Sequence, residues 1–374
     1  MRSSPLVVVR PWYAIGAPQV GTFDSESGAK RHWESSSVLT TSQLCPKDAY
    51  MPLAFTPENE ESSYHLHGVL PPVVLPMTPD GEIDSESLES HVGHLVAAGV
   101  HGLWANGTTG EFYSLDGEGR AEVVRLCAKA AAGRVPVVAH VGDTSTSLAV
   151  RHAREAVAAG AAMVSVLPPY FVGFDQDELK RHYRALAHAV DGPVVAYHLP
   201  QFIPATLSID SIVELVADGI LCGAKDSSSN MVWFRRLQRR LRDAGTPLPC
   251  LTGGSSVADL GYLLGAVGSV SSTGNLTPRH LVRQYEAARK GDWDLVLALQ
   301  EQSEELIESL TPPGKSAAPG LTNSVYKHLL AVLGRIDSDH SAAPQTQLSD
   351  EDRQYVEKHA LPVIGRMESA GDHG

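Results

Sequence analysis

Basic charge is scarce in this 374-residue chain: 30 Lys and Arg stand against 43 Asp and Glu, a formal net charge of -13. Binding to a nucleic-acid duplex needs a basic stripe that displaces counterions, so no nucleic-acid partner is expected. Long apolar runs are missing as well. No stretch approaches eighteen consecutive apolar residues, and the N-terminal "PLVVVRPWYAIGAP" is interrupted by Arg10 and Pro11. This argues against a spanning helix or a signal peptide, so no membrane partner is expected and the cytoplasm is the default address. Cysteine is sparse: Cys45, Cys127, Cys222 and Cys250 lie far apart, with no CxxC pair and no Cys/His spacing suited to tetrahedral zinc. Reduced, mostly buried thiols are the expectation. A glycine-rich phosphate turn is also absent after the first apolar run, where "LPMTPDG" stands instead, which disfavours a doubly wound nucleotide-binding sheet.

What is present divides into three zones. Residues 1–66 are Ser-rich ("FDSESGAK", "ESSSVLTTS", "PENEESS") without a sustained period of 2 or 3.6, and read as a flexible extension; Met51 is an internal alternative start. From Gly68 onward, short apolar runs alternate with amphipathic stretches. Eight such runs, at 69–76, 102–106, 135–141, 162–168, 193–200, 220–225, 247–253 and 266–272, are predicted strands. Between them, Leu88, Val92, Leu95 and Val96 share one helical face, and Ile212, Leu215 and Val216 follow an N-cap at Ser208. Eight βα units in about 220 residues predict a (β/α)8 TIM barrel over 67–290. Residues 291–374 form a helical C-terminal extension and tail, with helical patterns at 293–310, 324–334 and 349–359 broken by "TPPGKSAAPG" and "IDSDHSAAP".

In such a barrel the C-terminal ends of the strands carry the chemistry. The sixth run, "ILCGAK", ends on Lys225. An ammonium at the mouth of a buried strand loses hydration, which lowers its pKa and leaves a nucleophile toward ketones; pairing with Asp226 is the plainer alternative. Tyr197 ends the neighbouring fifth run and can share that space as a proton shuttle. "GTTGE" at 107–111 sets two threonines between glycines, a turn whose backbone N–H groups suit a carboxylate. His140, His198 and the "HLH" at 65–67 read as core or surface histidines, and no triad of metal ligands is apparent.

Together, "GTTGE", Tyr197 in "YHLP", Lys225 in "GAKD", "VGDTST" at 141–146 and "LSDEDR" at 348–353 resemble the N-acetylneuraminate lyase and dihydrodipicolinate synthase family, class I pyruvate aldolases on a TIM barrel. The resemblance spans about residues 68–362. It implies Lys225 as the Schiff-base lysine and Tyr197 as the proton-shuttling tyrosine. Thr108 and Thr109 would bind the substrate carboxylate, Thr108 also joining the proton relay. Gly253 and Val270 would lie against the substrate through backbone groups. No cofactor or metal is implied, and a homo-oligomer, a dimer or a tetramer built from dimers, is expected.

Departures from the family pattern bear on the substrate. "YHLPQFIP" puts Phe202 where synthases carry an arginine for the second substrate's carboxylate, and an aromatic ring cannot make that bidentate contact. Phe202 is instead expected to line the distal pocket. After the fourth run stand Tyr170 and Phe171 rather than two tyrosines, and "KDSS" resembles the sugar-acid aldolases. The expected partners are pyruvate, or another 2-oxo acid, and an aldehyde or sugar acid. The expected reaction is cleavage or formation of the C3–C4 bond of a 2-oxo-3-deoxy acid. A sugar-acid dehydratase, a synthase-like condensation and a non-enzymatic 2-oxo acid scaffold are the alternatives.

Overall fold

A computed structural model describes residues 66–345 and 347–369. The predicted flexible extension therefore lies, apart from Leu66, outside the described residues, as does Cys45. Eight parallel strands are present: β1 (Gly68–Val69), β2 (Leu103–Ala105), β3 (Val137–His140), β4 (Met163–Val166), β5 (Val194–His198), β6 (Leu221–Asp226), β7 (Cys250–Thr252) and β8 (Gly268–Ser269). Each falls within or beside one of the predicted apolar runs. Neighbours pair in the order β1-β8-β7-β6-β5-β4-β3-β2, and a parallel bridge between Pro72 and Trp104 closes the circuit. This is the (β/α)8 barrel that the spacing predicted.

The helices between the strands are α1 (Ser85–Ala97), α2 (Gly117–Ala131), α3 (Thr146–Ala158), α4 (Gln176–Ala189), α5 (Ile209–Ala217), α6 (Met231–Asp243), α7 (Ala258–Leu263) and α8 (Pro278–Lys290). Short polar side chains start six of them. Asp84, Asp116, Ser145, Asp175, Ser208 and Asn230 each accept the backbone N–H three residues on, satisfying a donor that the helix cannot. Gly99 and Gly160, which follow α1 and α3 by two residues, take φ of +86° and +104°, a turn back toward the sheet that a Cβ would strain.

Strand alternation splits the apolar residues into two layers. Leu70, Trp104, Val138, Met163, Val195, Tyr197, Leu251 and Val270 fill the barrel interior. Leu103, Val137, Val164, Val194, Ala224 and Cys250 face outward against the helices. Cys127, Cys222 and Cys250 are free and buried, as expected.

After the barrel come α9 (Trp293–Ser309), α10 (Pro319–Val332) and α11 (Asp350–Ser369). Leu306, Val325, Leu329, Val356 and Ile364 of these helices pack together with Val74 and Leu276 of the barrel. Two boundaries differ from the sequence reading. Helix α10 begins at Pro319 rather than 324, because proline at the first helical position gives up only an N–H that has no partner there anyway. Helix α11 runs to Ser369 rather than 359, passing through Pro362; buried Val363, Ile364 and Met367 beyond it offset the lost hydrogen bond.

Candidate active site

Lys225 and Tyr197 are direct partners in the β5–β6 register, and both point inward. The Lys225 Nζ stands 4.2 Å from the centroid of the Tyr197 ring and 4.6 Å from that of Trp104. The residue is 3% exposed. Burial pushes the ammonium below the ordinary lysine range, with Tyr197 partly opposing the shift, and no carboxylate among the described residues contributes. Asp226 does not pair with it. It lies on the outward face, where its Oδ1 accepts from the Ser228 N–H at 2.9 Å and burial raises its pKa. The plainer reading of Lys225 as half of a strand-end ion pair is thereby excluded.

Gly253, on the loop after β7, is held close to the lysine: its N–H donates to the Asp226 carbonyl at 2.7 Å. A Cβ at Gly253 would come within 2.0 Å of Ser227 Oγ and 2.9 Å of Lys225 Cε, so only glycine fits without displacement. Val270 is 1% exposed, packs in the same interior layer as Tyr197, and donates its N–H to the Thr252 carbonyl at 2.7 Å.

Thr108 and Thr109, both half-buried, occupy the turn after β2. Two non-glycine residues in left-handed backbone bracket it, Asn106 at φ +55° and Glu111 at φ +51°. The Gly110 N–H donates to the Gly107 carbonyl at 3.0 Å, and a Cβ at Gly110 would meet the Val73 carbonyl oxygen at 2.9 Å. The turn is thus pressed against the strand-one segment by a glycine that no larger residue replaces without movement.

Phe202 is not brought into this group. It sits on the turn after β5 with 54% of its surface exposed, while the next residue, Ile203, is buried in the interior layer. Phe171 stands further out still, 90% exposed at φ +86°. Its neighbour Tyr170 is half-buried, with its ring 6.4 Å from that of Phe112.

The chain matches the dihydrodipicolinate synthetase family over residues 65–361. It belongs to that family. An uncharacterised DapA-like lyase of Halobacterium salinarum is 36% identical over 289 residues, 76% of this chain and 94% of the relative. A 4-hydroxy-tetrahydrodipicolinate synthase of Sorangium cellulosum is 38% identical over 315 residues, 83% of this chain and all of the relative. Among solved structures, YagE of Escherichia coli K12, a family protein crystallised in complex with pyruvate, superposes with a TM-score of 0.74 at 25% identity, covering 80% of this chain and 98% of its own. At the level of the dihydrodipicolinate synthetase family, the activity is that of a lyase.

Several residues around this buried amine carry no local signal in the sequence. Trp104 is the floor beneath the amine. His140 stacks edge-on against Tyr197 and Phe112, with centroids 5.7 and 4.7 Å apart. Burial, then the charges of Arg120 and Lys225, push it down to about 3, so it is a neutral core histidine, one of the two readings the sequence offered, packed beside Tyr197. Period-2 alternation along β2 and β3 assigns both to the inner face once the barrel is granted. His198, by contrast, faces outward and stacks on Trp233 at 3.9 Å. Its reading as a packing histidine agrees with that position.

Proposed function

We propose that the protein is a Schiff-base aldolase acting on hydroxylated 2-oxo acids. The observation that carries this reading is the Lys225 amine, buried over two aromatic rings and, among the described residues, paired with no acid. An amine whose charged form is disfavoured is a ready nucleophile at neutral pH. Lys225 attacks the 2-oxo carbon to give a carbinolamine, which expels water to form the protonated imine. Tyr197 removes the proton of the 4-hydroxyl, the C3–C4 bond breaks, and its electrons pass into the iminium to give an enamine and a free aldehyde. Protonation at C3 and hydrolysis return pyruvate and the free amine. Thr108 and Thr109 hold the carboxylate, Gly253 leaves room for the amine, and Val270 closes the wall. The imine is itself the electron sink, so the chemistry calls on neither a metal nor an organic cofactor. Buried free thiols suit a cytoplasmic address, and the exposed Phe171 suits a second copy of the chain as partner.

Condensation as in the named synthases is the second reading, favoured by the 38% identity to one of them. Against it, the 197–204 segment offers Phe202 in place of a carboxylate-gripping cation. Reduction with borohydride in the presence of pyruvate, followed by mass spectrometric mapping, tests both. A pyruvyl adduct on Lys225 is expected, and an unmodified Lys225 sinks every Schiff-base version. A panel of 2-oxo-3-deoxy acids, assayed for released pyruvate against lost water, then separates aldolase from dehydratase.

A further inference from the structure

Besides Tyr326 at the Ser272 hydroxyl and Gln300 at the Ser255 carbonyl, the C-terminal helices meet the mouth of the barrel at the 107–111 turn. Asn323 and Lys327 lie four residues apart on α10, on one helix face, and both are buried. The Asn323 amide donates to the Thr108 carbonyl at 3.1 Å and to the Tyr113 hydroxyl at 3.4 Å. The Lys327 Nζ lies 2.5 Å from Glu111 Oε1 and donates to the His340 carbonyl at 2.9 Å. Glu111 Oε2 accepts from the Ala342 N–H at 3.1 Å and from Gln345 Nε2 at 2.6 Å. Both charged side chains are fully buried.

Four of these contacts, from Asn323 to Thr108 and from Lys327, Ala342 and Gln345 to Glu111, join the extension to the 107–111 turn, and none of the four is part of the strand pairing that closes the barrel. Glu111 holds a left-handed backbone conformation that a non-glycine residue keeps only when its surroundings impose it. The imposing groups here are Lys327, Ala342 and Gln345. Asn106, at the other end of the turn, is tied from outside by its own amide, which donates to the Arg120 carbonyl at 2.9 Å. Fixing Thr108 by its carbonyl and Glu111 by its side chain sets the direction of the N–H groups and hydroxyls between them.

We propose that Asn323, Lys327 and Glu111 are positioning residues, through which the C-terminal extension sets the affinity of the Thr108–Thr109 turn for the carboxylate of the 2-oxo acid. The inference rests on the reading of that turn as the carboxylate site and of Lys225 as the imine-forming amine. Its distinctive consequence is that the clamp acts on carbonyl compounds bearing a carboxylate and leaves the amine's reaction with those lacking one unchanged.

Two probes therefore serve, pyruvate and acetone, each trapped on Lys225 with borohydride and quantified by intact mass. Asn323→Ala, which loses one hydrogen bond to the turn, should raise the half-saturating pyruvate concentration about 3- to 10-fold. Lys327→Met should raise it further, and the double variant Lys327→Met/Glu111→Gln, which leaves no unpaired buried charge, keeps the test open if the single variant does not fold. Trapping of acetone should stay at the wild-type level in each folded variant. Val356→Ala, in the apolar packing of α11 away from the turn, should lower the melting temperature and leave both probes unchanged. An equal fall for pyruvate and acetone, or no change in either, overturns the inference. Failure of the wild-type protein to trap pyruvate at all overturns instead the Schiff-base reading on which it rests.

Discussion

Gly253→Ala is the most economical perturbation of the lysine's position. The added methyl would sit 2.0 Å from Ser227 Oγ and 2.9 Å from Lys225 Cε, where ordinary contact begins at 3.4 Å. Relief requires the hydroxyl to move by at least the 1.4 Å between 2.0 and 3.4 Å, and the lysine terminus by at least the 0.5 Å between 2.9 and 3.4 Å. Ser227 is half-buried at the rim and has a short side chain that can rotate away. Lys225 is enclosed by Trp104 and Tyr197 and has no such freedom. Misplacement on the scale of 1 Å costs about 10²-fold in rate, so the half-ångström shift should slow pyruvate trapping by about 10- to 100-fold. Overpacking should cost about 1–3 kcal/mol of stability. The initial rate of adduct formation on Lys225, followed by intact mass beside thermal unfolding, reads both quantities. Adding Ser227→Gly removes one clash and keeps the other: stability should recover while trapping stays slow. Wild-type trapping by Gly253→Ala, or recovery of the rate by the double variant, would refute the claim that Gly253 is there to make room for the amine.

Lys225→Met should abolish the adduct and, by removing a buried ammonium, raise stability at neutral pH by about 1 kcal/mol or more, measured by denaturant unfolding. The folded pKa of Lys225 lies below its ordinary 10.5, so between the two values the unfolded chain holds more protons and stability rises with pH; below the folded value the whole cost remains. The logarithm of the trapping rate should likewise climb with pH and level off below 10.5; a midpoint at or above that value counts against a desolvated amine. Phe171→Ser, which removes an aromatic ring 90% exposed in the single chain, should shift the sedimentation profile toward smaller species if that ring seats on a second copy, and an unchanged profile argues that it does not.

The barrel was legible because its signals are periodic and local. Eight apolar runs, polar caps such as Ser208 and glycines such as Gly99 each state their structure within a few residues. Lys225 and Tyr197 could be paired for the same reason, since parallel neighbours that end at the same level put their last inward residues together. Trp104 and His140 were hidden by ambiguity: alternation places them inward only after the strand ends are known to within one residue. Phe202 shows the same weakness in reverse, because a loop has no period to say which way its side chain turns. Glu111 and Lys327 were hidden by distance, since nothing near either residue announces a buried partner on another element. Buried ion pairs are tertiary facts.

The same distance bears on the order in which the molecule is built. The contacts between the turn and the extension span 215 to 234 residues of chain, only a little more than the pairing of Gly68 with Gly268 by which β1 meets β8. Closing loops of this length comes late, after nearer contacts have formed. During synthesis all eight strands emerge before residues 319–345, so on the proposed reading the Lys225 amine can be enclosed while the 107–111 turn still lacks its clamp. A chain ending at Ala318, which lacks the clamp and the helices that carry it, should then show a weaker preference for pyruvate over acetone than the full chain.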